Sequence, residues 1–402
     1  MNQIKQSYKQ TKVGIIPQDW EVVKVGEKFD FLKTYSNSRE DLNNIDEISY
    51  IHYGEIHTKH KFYIDFAKFE LPKINKSKLP NEIIFAQNGD LVIADASEDY
   101  ADIGKSAEIK NLTSKAVSGL HTFLLRDKNN NFANGYKGYL LYNETVAKSI
   151  KKIATGISVL GISKTNLSNL QIPLPSLKEQ EKIAEILTTW DEAITKQTEL
   201  LRAKELQKKA LMQKLLSGEV RFNGFSDEWE EVRLGEICKI TTGKLNANAM
   251  VENGQYTFFT CARETYKINE FAFDTEALLV SGNGANVGYI HYFNGKFNAY
   301  QRTYVLDSFK HNIFLIKYLL DKYLSLQISR EKNEGNTPYI TLPTLTKMKL
   351  KLPSLPEQQK IAEVLSLADD EINLLKNELE ELKLQKKVLM QKLLTGEVRV
   401  KV

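Results

Sequence analysis

Leu206–Arg221 reads LQKKALMQKLLSGEVR, and Leu384–Arg399 reads LQKKVLMQKLLTGEVR. The two copies lie 178 residues apart and differ only at Ala210/Val388 and Ser217/Thr395. The match continues upstream in the same register. Leu177-Lys-Glu-Gln180 aligns with Leu355-Pro-Glu-Gln358, and Lys182-Ile-Ala-Glu185 with Lys360-Ile-Ala-Glu363. An internal repeat of this length governs how the rest is divided.

The repeated part is helical. Ser176-Leu-Lys-Glu179 and Ser354-Leu-Pro-Glu357 fit the S-x-x-E capping box, and Pro356 falls in a first turn that tolerates its missing N–H. Gly218 and Gly396 fit C-terminal caps, with Lys214 and Lys392 placed favourably against the helix dipole. Between the caps apolar positions alternate by four and three, which is a coiled-coil seam. In the first helix it runs Ile183, Leu187, Trp190, Ile194, Gln197, Leu201, Lys204, Lys208, Leu211, Leu215. In the second it runs Ile361, Leu365, Ala368, Ile372, Leu375, Leu379, Leu382, Lys386, Leu389, Leu393. Gln197, Lys204 and Lys208 weaken the first seam, so further packing is expected there. At about 1.5 Å per residue, Ser176–Ser217 spans roughly 63 Å.

A second repeat has a different spacing. Pro17-Gln-Asp-Trp20-Glu with Gly26-Glu27 returns as Phe225-Ser-Asp-Glu-Trp229-Glu with Gly235-Glu236, 209 residues on. The region before the first helix is therefore longer than its counterpart, and most of the excess precedes Leu91, because Leu91-Val-Ile-Ala94 matches Leu278-Leu-Val-Ser281 at 187. Each region reads as mixed α/β. Expected strands are Leu91–Ala94, Thr122–Arg126, Ala277–Val280, Val287–Tyr292 and Thr303–Leu306, and expected helices are Tyr136–Ile153 and Ile313–Ile328. Helices that connect two modules in this order pair antiparallel if they pair at all. The expected fold is α+β: two mixed α/β target-recognition domains joined by two long antiparallel coiled-coil helices, a pseudo-two-fold dumbbell. Its boundaries are 1–174, 175–222, 223–352 and 353–402.

Composition narrows the class. A chain of 402 residues calls for more than one domain, and 42% hydrophobic with 26% charged residues is ordinary for a globular protein. Two cysteines, Cys238 and Cys261, make no disulfide framework and fit a cytoplasmic setting. The opening MNQIKQSYKQTK lacks the apolar core of a secretory signal, and no apolar run is long enough for a membrane span. A net charge of +4 permits nucleic-acid binding without requiring it.

The paired motifs carry a family resemblance. Pro17–Glu21 with Gly26-Glu27, Leu174-Pro-Ser-Leu-Lys-Glu-Gln180 and their partners, Gly224–Glu230 with Gly235-Glu236 and Leu352-Pro-Ser-Leu-Pro-Glu-Gln358, resemble the specificity subunit of a type I restriction-modification system. Leu211–Arg221 and Leu389–Arg399 complete the set, which covers essentially the whole chain. The resemblance implies a non-catalytic subunit that selects double-stranded DNA at a bipartite, asymmetric site. It implies two copies of an adenine-N6 methyltransferase subunit and restriction-translocation subunits as partners. S-adenosylmethionine, ATP and Mg²⁺ then belong to those partners, and this chain holds no cofactor or metal.

Signs of chemistry within the chain itself are weak. No N/D-P-P-Y/F methyltransferase tetrapeptide occurs. Thr241-Thr-Gly-Lys244 fails as a phosphate loop, since Cys238 stands where a glycine is required and Leu245 where Ser or Thr is required. Gly282-Asn-Gly-Ala-Asn-Val-Gly288 misses the dinucleotide pattern by one residue and reads as a turn between strands. Glu108-Ile-Lys110 with Asp90 or Asp95 is a possible nuclease triad, weighed against a charged strand surface. His52, His57 and His60 lack a fourth metal ligand and read as strand-surface residues or DNA contacts.

DNA contacts are expected among long donors near loops and strand ends. In the first region these are Lys33, Asn37, Arg39, His57, Lys59, His60, Lys61 and Lys105. In the second they are Lys244, Asn246, Arg263, Asn283, Asn286, Gln301 and Arg302. Each is equally explained as an ordinary solvated side chain. Trp20 and Trp229 read as anchors. The alternative function is a coiled-coil scaffold presenting two protein-binding modules; an autonomous nuclease or methyltransferase is the third.

Overall fold

The computed structural model describes residues 7–100, 102–331 and 339–401. Residues 1–6 of the polar opening stretch lie outside the described residues. The chain divides into two compact units, residues 1–197 with 378–402, and residues 198–377.

The first unit is built on a five-stranded sheet. Its strands are β1 (Phe29–Leu32), β2 (Phe62–Asp65), β3 (Leu91–Ala94), β4 (Ser106–Lys110) and β5 (Thr122–Asp127), in the order β1-β5-β3-β4-β2. Only β4 and β2 pair parallel. The second unit has β6 (Lys239–Thr242), β7 (Tyr256–Phe259), β8 (Tyr266–Ile268), β9 (Phe273–Ser281), β10 (Ile290–Ala299) and β11 (Thr303–Asp307). Their order is β6-β11-β9-β10-β7-β8, and again the one parallel pair joins a long strand to its outer neighbour, β10 to β7. The surplus of the first region is a separate four-stranded sheet, from Leu42–Asn43, Ile48–Ile51, Lys73–Ile74 and Ala116–Ser118. It has its own core of Tyr35, Ile48, Tyr50, Ile74, Leu79 and Val117.

Two long helices are present, α1 (Leu177–Leu215) and α2 (Leu355–Leu394). Each unit takes the start of one and the end of the other. In the first unit Ile183 and Leu187 of α1 join Leu393 and Leu394 of α2 in the core. In the second, Ile361 and Leu365 of α2 join Leu215 of α1 and Leu216. The pairing is antiparallel within each unit: Asp191 meets Lys386 and Gln197 meets Glu378 in one, Lys204 meets Glu371 and Lys208 meets Asp369 in the other. Every seam position is at least partly buried, including the polar ones.

The glycine caps form as expected. Gly218 and Gly396 both sit at φ +73°, where a side chain is strained, and the N–H of Val220 and of Val398 reach back to Lys214 and Lys392 carbonyls. The capping boxes need correction. Glu179 N donates to Ser176 Oγ at a long 3.4 Å, while the Glu179 carboxylate turns to Trp20 and Arg399. Glu357 turns likewise to Arg221. Both carboxylates are buried, and an ion pair takes them before the helix start can.

Two other expectations shift. The helix expected over Tyr136–Ile153 breaks into Lys137–Leu140 and Glu144–Ile153, because Asn143 caps the second piece. Its Oδ1 accepts from Thr145 N and Val146 N, and its Nδ2 donates to the Leu394 carbonyl at the end of α2. The strand expected at Val287 begins only at Ile290, since Gly284 and Gly288 hold left-handed φ of +80° and +83° in the preceding turn.

Candidate nucleic-acid interface

In the first unit the C-terminal ends of β1 and β3 and the N-terminal ends of β2, β4 and β5 lie at one end of the sheet, as the strand registers require. The residues just beyond those ends are Lys33, Asp95, Lys61, Lys105 and His121. A helix at Tyr53–Thr58 closes over this edge, its N-terminus capped by His52, whose Nδ1 accepts from Gly54 N at 3.1 Å. The Tyr50 hydroxyl accepts from Asn37 N and Leu120 N and donates to the Tyr35 carbonyl, which fixes the loop carrying Lys33 and Asn37.

Several donors are already committed here. Arg39 and Lys59 both reach the buried Glu55 carboxylate, at 3.3 and 3.0 Å. His57 Nε2 lies 2.9 Å from the Ala96 carbonyl, and Lys105 Nζ donates to His57 O and Asp102. Lys33 and Lys61 are exposed over Tyr35 and Phe62 rings. His60 is 3% exposed, edge-on to Phe69, and burial lowers its pKa. A side chain so enclosed reaches no duplex, so it leaves the contact set. Two residues the sequence reading missed join the edge. The Tyr53 ring lies 4.5–5.8 Å from those of His52, His57 and His121, edge-on to the last two, and His121 Nδ1 lies 3.4 Å from Asp95.

The second unit gathers all seven of its candidates in four loops, 243–246, 260–263, 282–289 and 300–302. Gln301 Nε2 donates to Asn246 Oδ1 at 3.2 Å, and Gln301 N to Leu245 O. Gly282 N and Cys261 Sγ both donate to the Arg302 carbonyl, and Asn286 Nδ2 to the Cys261 carbonyl. Arg263 lies 5.5 Å over the Tyr289 ring. Gly243 is required where it stands: a Cβ there would come within 1.9 Å of the Ala299 carbonyl oxygen. Lys244, Asn246, Arg263, Gln301 and Arg302 are exposed, and Asn283 and Asn286 partly so. Tyr289 and Tyr339 add exposed aromatic surface that the sequence reading passed over.

Of the nuclease-like carboxylates, Asp95 faces His121 at the edge, whereas Asp90 and Glu108 are buried and paired within the fold. Asp90 is held by Arg126 at 2.7 Å. Glu108 accepts from the N–H groups of Gly135 and Gly138 and pairs with Lys137, itself 2% exposed. These groups brace the fold. Among the described residues no cluster of His, Cys, Asp and Glu could hold a metal ion, and no helix is long and apolar enough to cross a membrane.

The frames behind the two edges are closed by repeat-equivalent arginines and glutamates. In the first unit Arg399 grips Glu179 and Asp19, and Glu179 also accepts from the Trp20 indole at 2.8 Å. In the second Arg221 grips Glu357 at 2.6–2.9 Å. Gly396 packs on Trp20 and Gly218 on Trp229. Gln180 Nε2 donates to Pro175 O, and Gln358 Nε2 to Pro353 O, at 2.9 and 2.8 Å. Further along, Lys386, Asp191 and Tyr139 form one polar triad and Lys208, Asp369 and Tyr318 another. Burial pushes the Lys386 ammonium below its usual range, against the pull of Asp191.

Residues 17–203 and 226–384 match the family described as type I restriction modification DNA specificity domain. The chain is similar to the type I restriction enzyme MjaVIII specificity subunit of Methanocaldococcus jannaschii, 28% identical over 96% of this chain and 94% of that one. It is also similar to the type I restriction enzyme EcoDI specificity subunit of Escherichia coli, 42% identical over 39% of this chain and 34% of that one. Among solved structures, the type I restriction-modification S subunit from M. genitalium has the same fold, with a TM-score of 0.63 at 18% identity over 93% of this chain and 96% of that one.

Proposed function

The chain belongs to the type I restriction-modification DNA specificity family, and from that premise we propose that it reads a bipartite, asymmetric site on double-stranded DNA and positions other subunits there. Residues 1–174 and 223–352 serve as the two target-recognition domains, and 175–222 and 353–402 as the helical spacers. The observation that carries this reading is one repeated clasp behind two unlike edges. Arg399–Glu179 and Arg221–Glu357 repeat at 178 residues, while the loops beyond the strand ends share neither length nor residues. Repeated frames with different donors suit two different half-sites.

The contacts proposed in the first half-site are Lys33, Asn37, Arg39, His57, Lys59, Lys61 and Lys105, with Tyr53 and His121 added. In the second they are Lys244, Asn246, Arg263, Asn283, Asn286, Gln301 and Arg302. Arg, Asn and Gln suit base edges through paired hydrogen bonds, and Lys suits phosphate.

The helices support the partner assignment. Leu206 and Leu384 are repeat equivalents left 59% and 62% exposed, and Leu177 and Leu355 are 47% and 56% exposed. The same apolar positions presented twice suit two copies of one protein, here the methyltransferase subunit, with restriction subunits joining through it. This chain itself is non-catalytic in the proposal; the partners bring S-adenosylmethionine, ATP and Mg²⁺.

Co-expression with a methyltransferase subunit, followed by genome-wide adenine-methylation mapping, tests the reading. The expected result is one motif of two unlike halves separated by a fixed gap. A continuous motif would contradict the bipartite reading, and an active complex with no motif would favour the scaffold instead.

A further inference from the structure

Residues 154–161 form a hairpin at the reading edge of the first unit. Thr155 and Gly161 exchange backbone hydrogen bonds of 2.9 and 2.7 Å, and Leu160–Gly161 pairs with Ala96–Ser97 just beyond β3. Gly156 closes the turn at φ +133°, where an added Cβ would lie 1.9 Å from the Val159 carbonyl oxygen. The tip that results turns its apolar side chains outward. Ile157 is 102% exposed and Val159 52%, with Tyr100 at 54% on the neighbouring loop.

A single exposed apolar residue is ordinary. This tip differs in its rim. Lys151 lies 5.4 Å from the Tyr100 ring, and the Tyr100 hydroxyl donates to the Lys151 carbonyl. Lys152 and Lys164 flank the hairpin and are exposed. Lys105 and His57 lie on the other side, tied to Ala96 through His57. Glu98 and Asp99 are the opposing charges, Asp102 is engaged by Lys105, and Asp95 faces His121 at 3.4 Å. Three lysines, Lys151, Lys152 and Lys164, thus stand around an apolar point against Glu98 and Asp99. A ligand with an anionic exterior and an apolar stack inside matches it, and duplex DNA is built that way. Two side chains fall far short of the roughly 800 Å² per partner of a stable protein interface.

We propose that Ile157 is an apolar wedge that enters the DNA at the first half-site and partly unstacks one base step, with Lys152 and Lys164 on the flanking phosphates. This rests on the DNA-reading assignment above. Apolar wedges of this kind cost unstacking energy and return it through the bent contact surface. The wedge places sequence preference on a deformable step that no hydrogen bond reads.

The test uses the full chain in complex with its methyltransferase subunit and duplexes carrying 2-aminopurine at successive positions of the first half-site. Unstacking raises the fluorescence at one step in the wild type. Ile157→Ser removes that rise and weakens binding about tenfold, the size of one lost base-pair contact, whereas Ile157→Leu retains both. The residue is fully exposed, so thermal melting of the variant matches the wild type. A wild-type complex that binds its mapped site with no rise at any position overturns the wedge alone. So does an Ile157→Ser complex with unchanged fluorescence and affinity, or one that loses only its methyltransferase subunit. A wild-type complex that fails to prefer any duplex overturns the wedge and the DNA-reading assignment together.

Discussion

In the first unit Arg399 holds two carboxylates, Glu179 and Asp19, and Glu179 also accepts from the Trp20 indole. In the second, Arg221 holds Glu357 and the Asp227 carbonyl, while the Trp229 indole N–H is buried with no partner among the described residues. The same repeated residues thus make a fuller clasp in one unit than in the other. Asp19 shows the difference: its hydrogen bonds to Arg399 hold its carboxyl below the usual range. Equivalence in sequence fixes which groups meet. How well they are satisfied depends on the divergent residues around them.

The largest effect expected from breaking this comparison is at the clasps. Glu179→Ala strands Arg399 and the Trp20 N–H and costs about 3 kcal/mol, while Glu357→Ala costs about 2 kcal/mol. Native-state hydrogen exchange, which resolves the two units separately, should show each loss confined to its own unit. Equal losses would mean that Asp19 and Trp20 add nothing.

The polar triads come next. Lys386 is 5% exposed and packs 4.0 Å over the Phe62 ring, whereas the Lys208 side chain is 20% exposed. Lys386→Ala leaves Asp191 with Tyr139 alone and costs about 2 kcal/mol; Lys208→Ala costs about 1 kcal/mol. Urea unfolding of the two variants measures the difference.

The smallest effect is specific to the first unit. Burial depresses the His60 pKa below the unfolded value of about 6.5. The unfolded chain therefore takes up the proton first, and the contribution present above about pH 6.5 is lost as pH falls through the folded value. Glu55 opposes the shift and Lys59 adds to it. His60→Leu should remove part of the acid-side slope, under about 1 kcal/mol at pH 5.5; His52, depressed by burial as well, keeps the remainder. A slope unchanged in thermal melts from pH 7.5 to 5.5 would contradict this.

Much of the frame was legible because it is periodic. The four-three seam and Gly218 and Gly396 locate both helix ends, and an antiparallel pairing follows from the chain order. For Glu179 and Glu357 the sequence shows only a local partner, a serine three residues back, whereas Arg399 and Arg221 lie 220 and 136 residues away. The break at Asn143 is tertiary for the same reason, since its amide serves the Leu394 carbonyl. The edges were legible in kind and not in detail. Long donors after strand ends could be picked out in both units, but only packing shows that Arg39 and Lys59 share Glu55 or that His60 is enclosed. Two-residue strands such as Leu42–Asn43 and Lys73–Ile74 have too little period to register at all.

Two units built on one repeated frame are expected to read DNA independently. Exchanging residues 223–345 for the equivalent segment of another specificity subunit, then mapping adenine methylation, tests it most directly. The expected result is a new second half-site with the first half-site and the gap unchanged. A change in both halves, or in the gap, would contradict it.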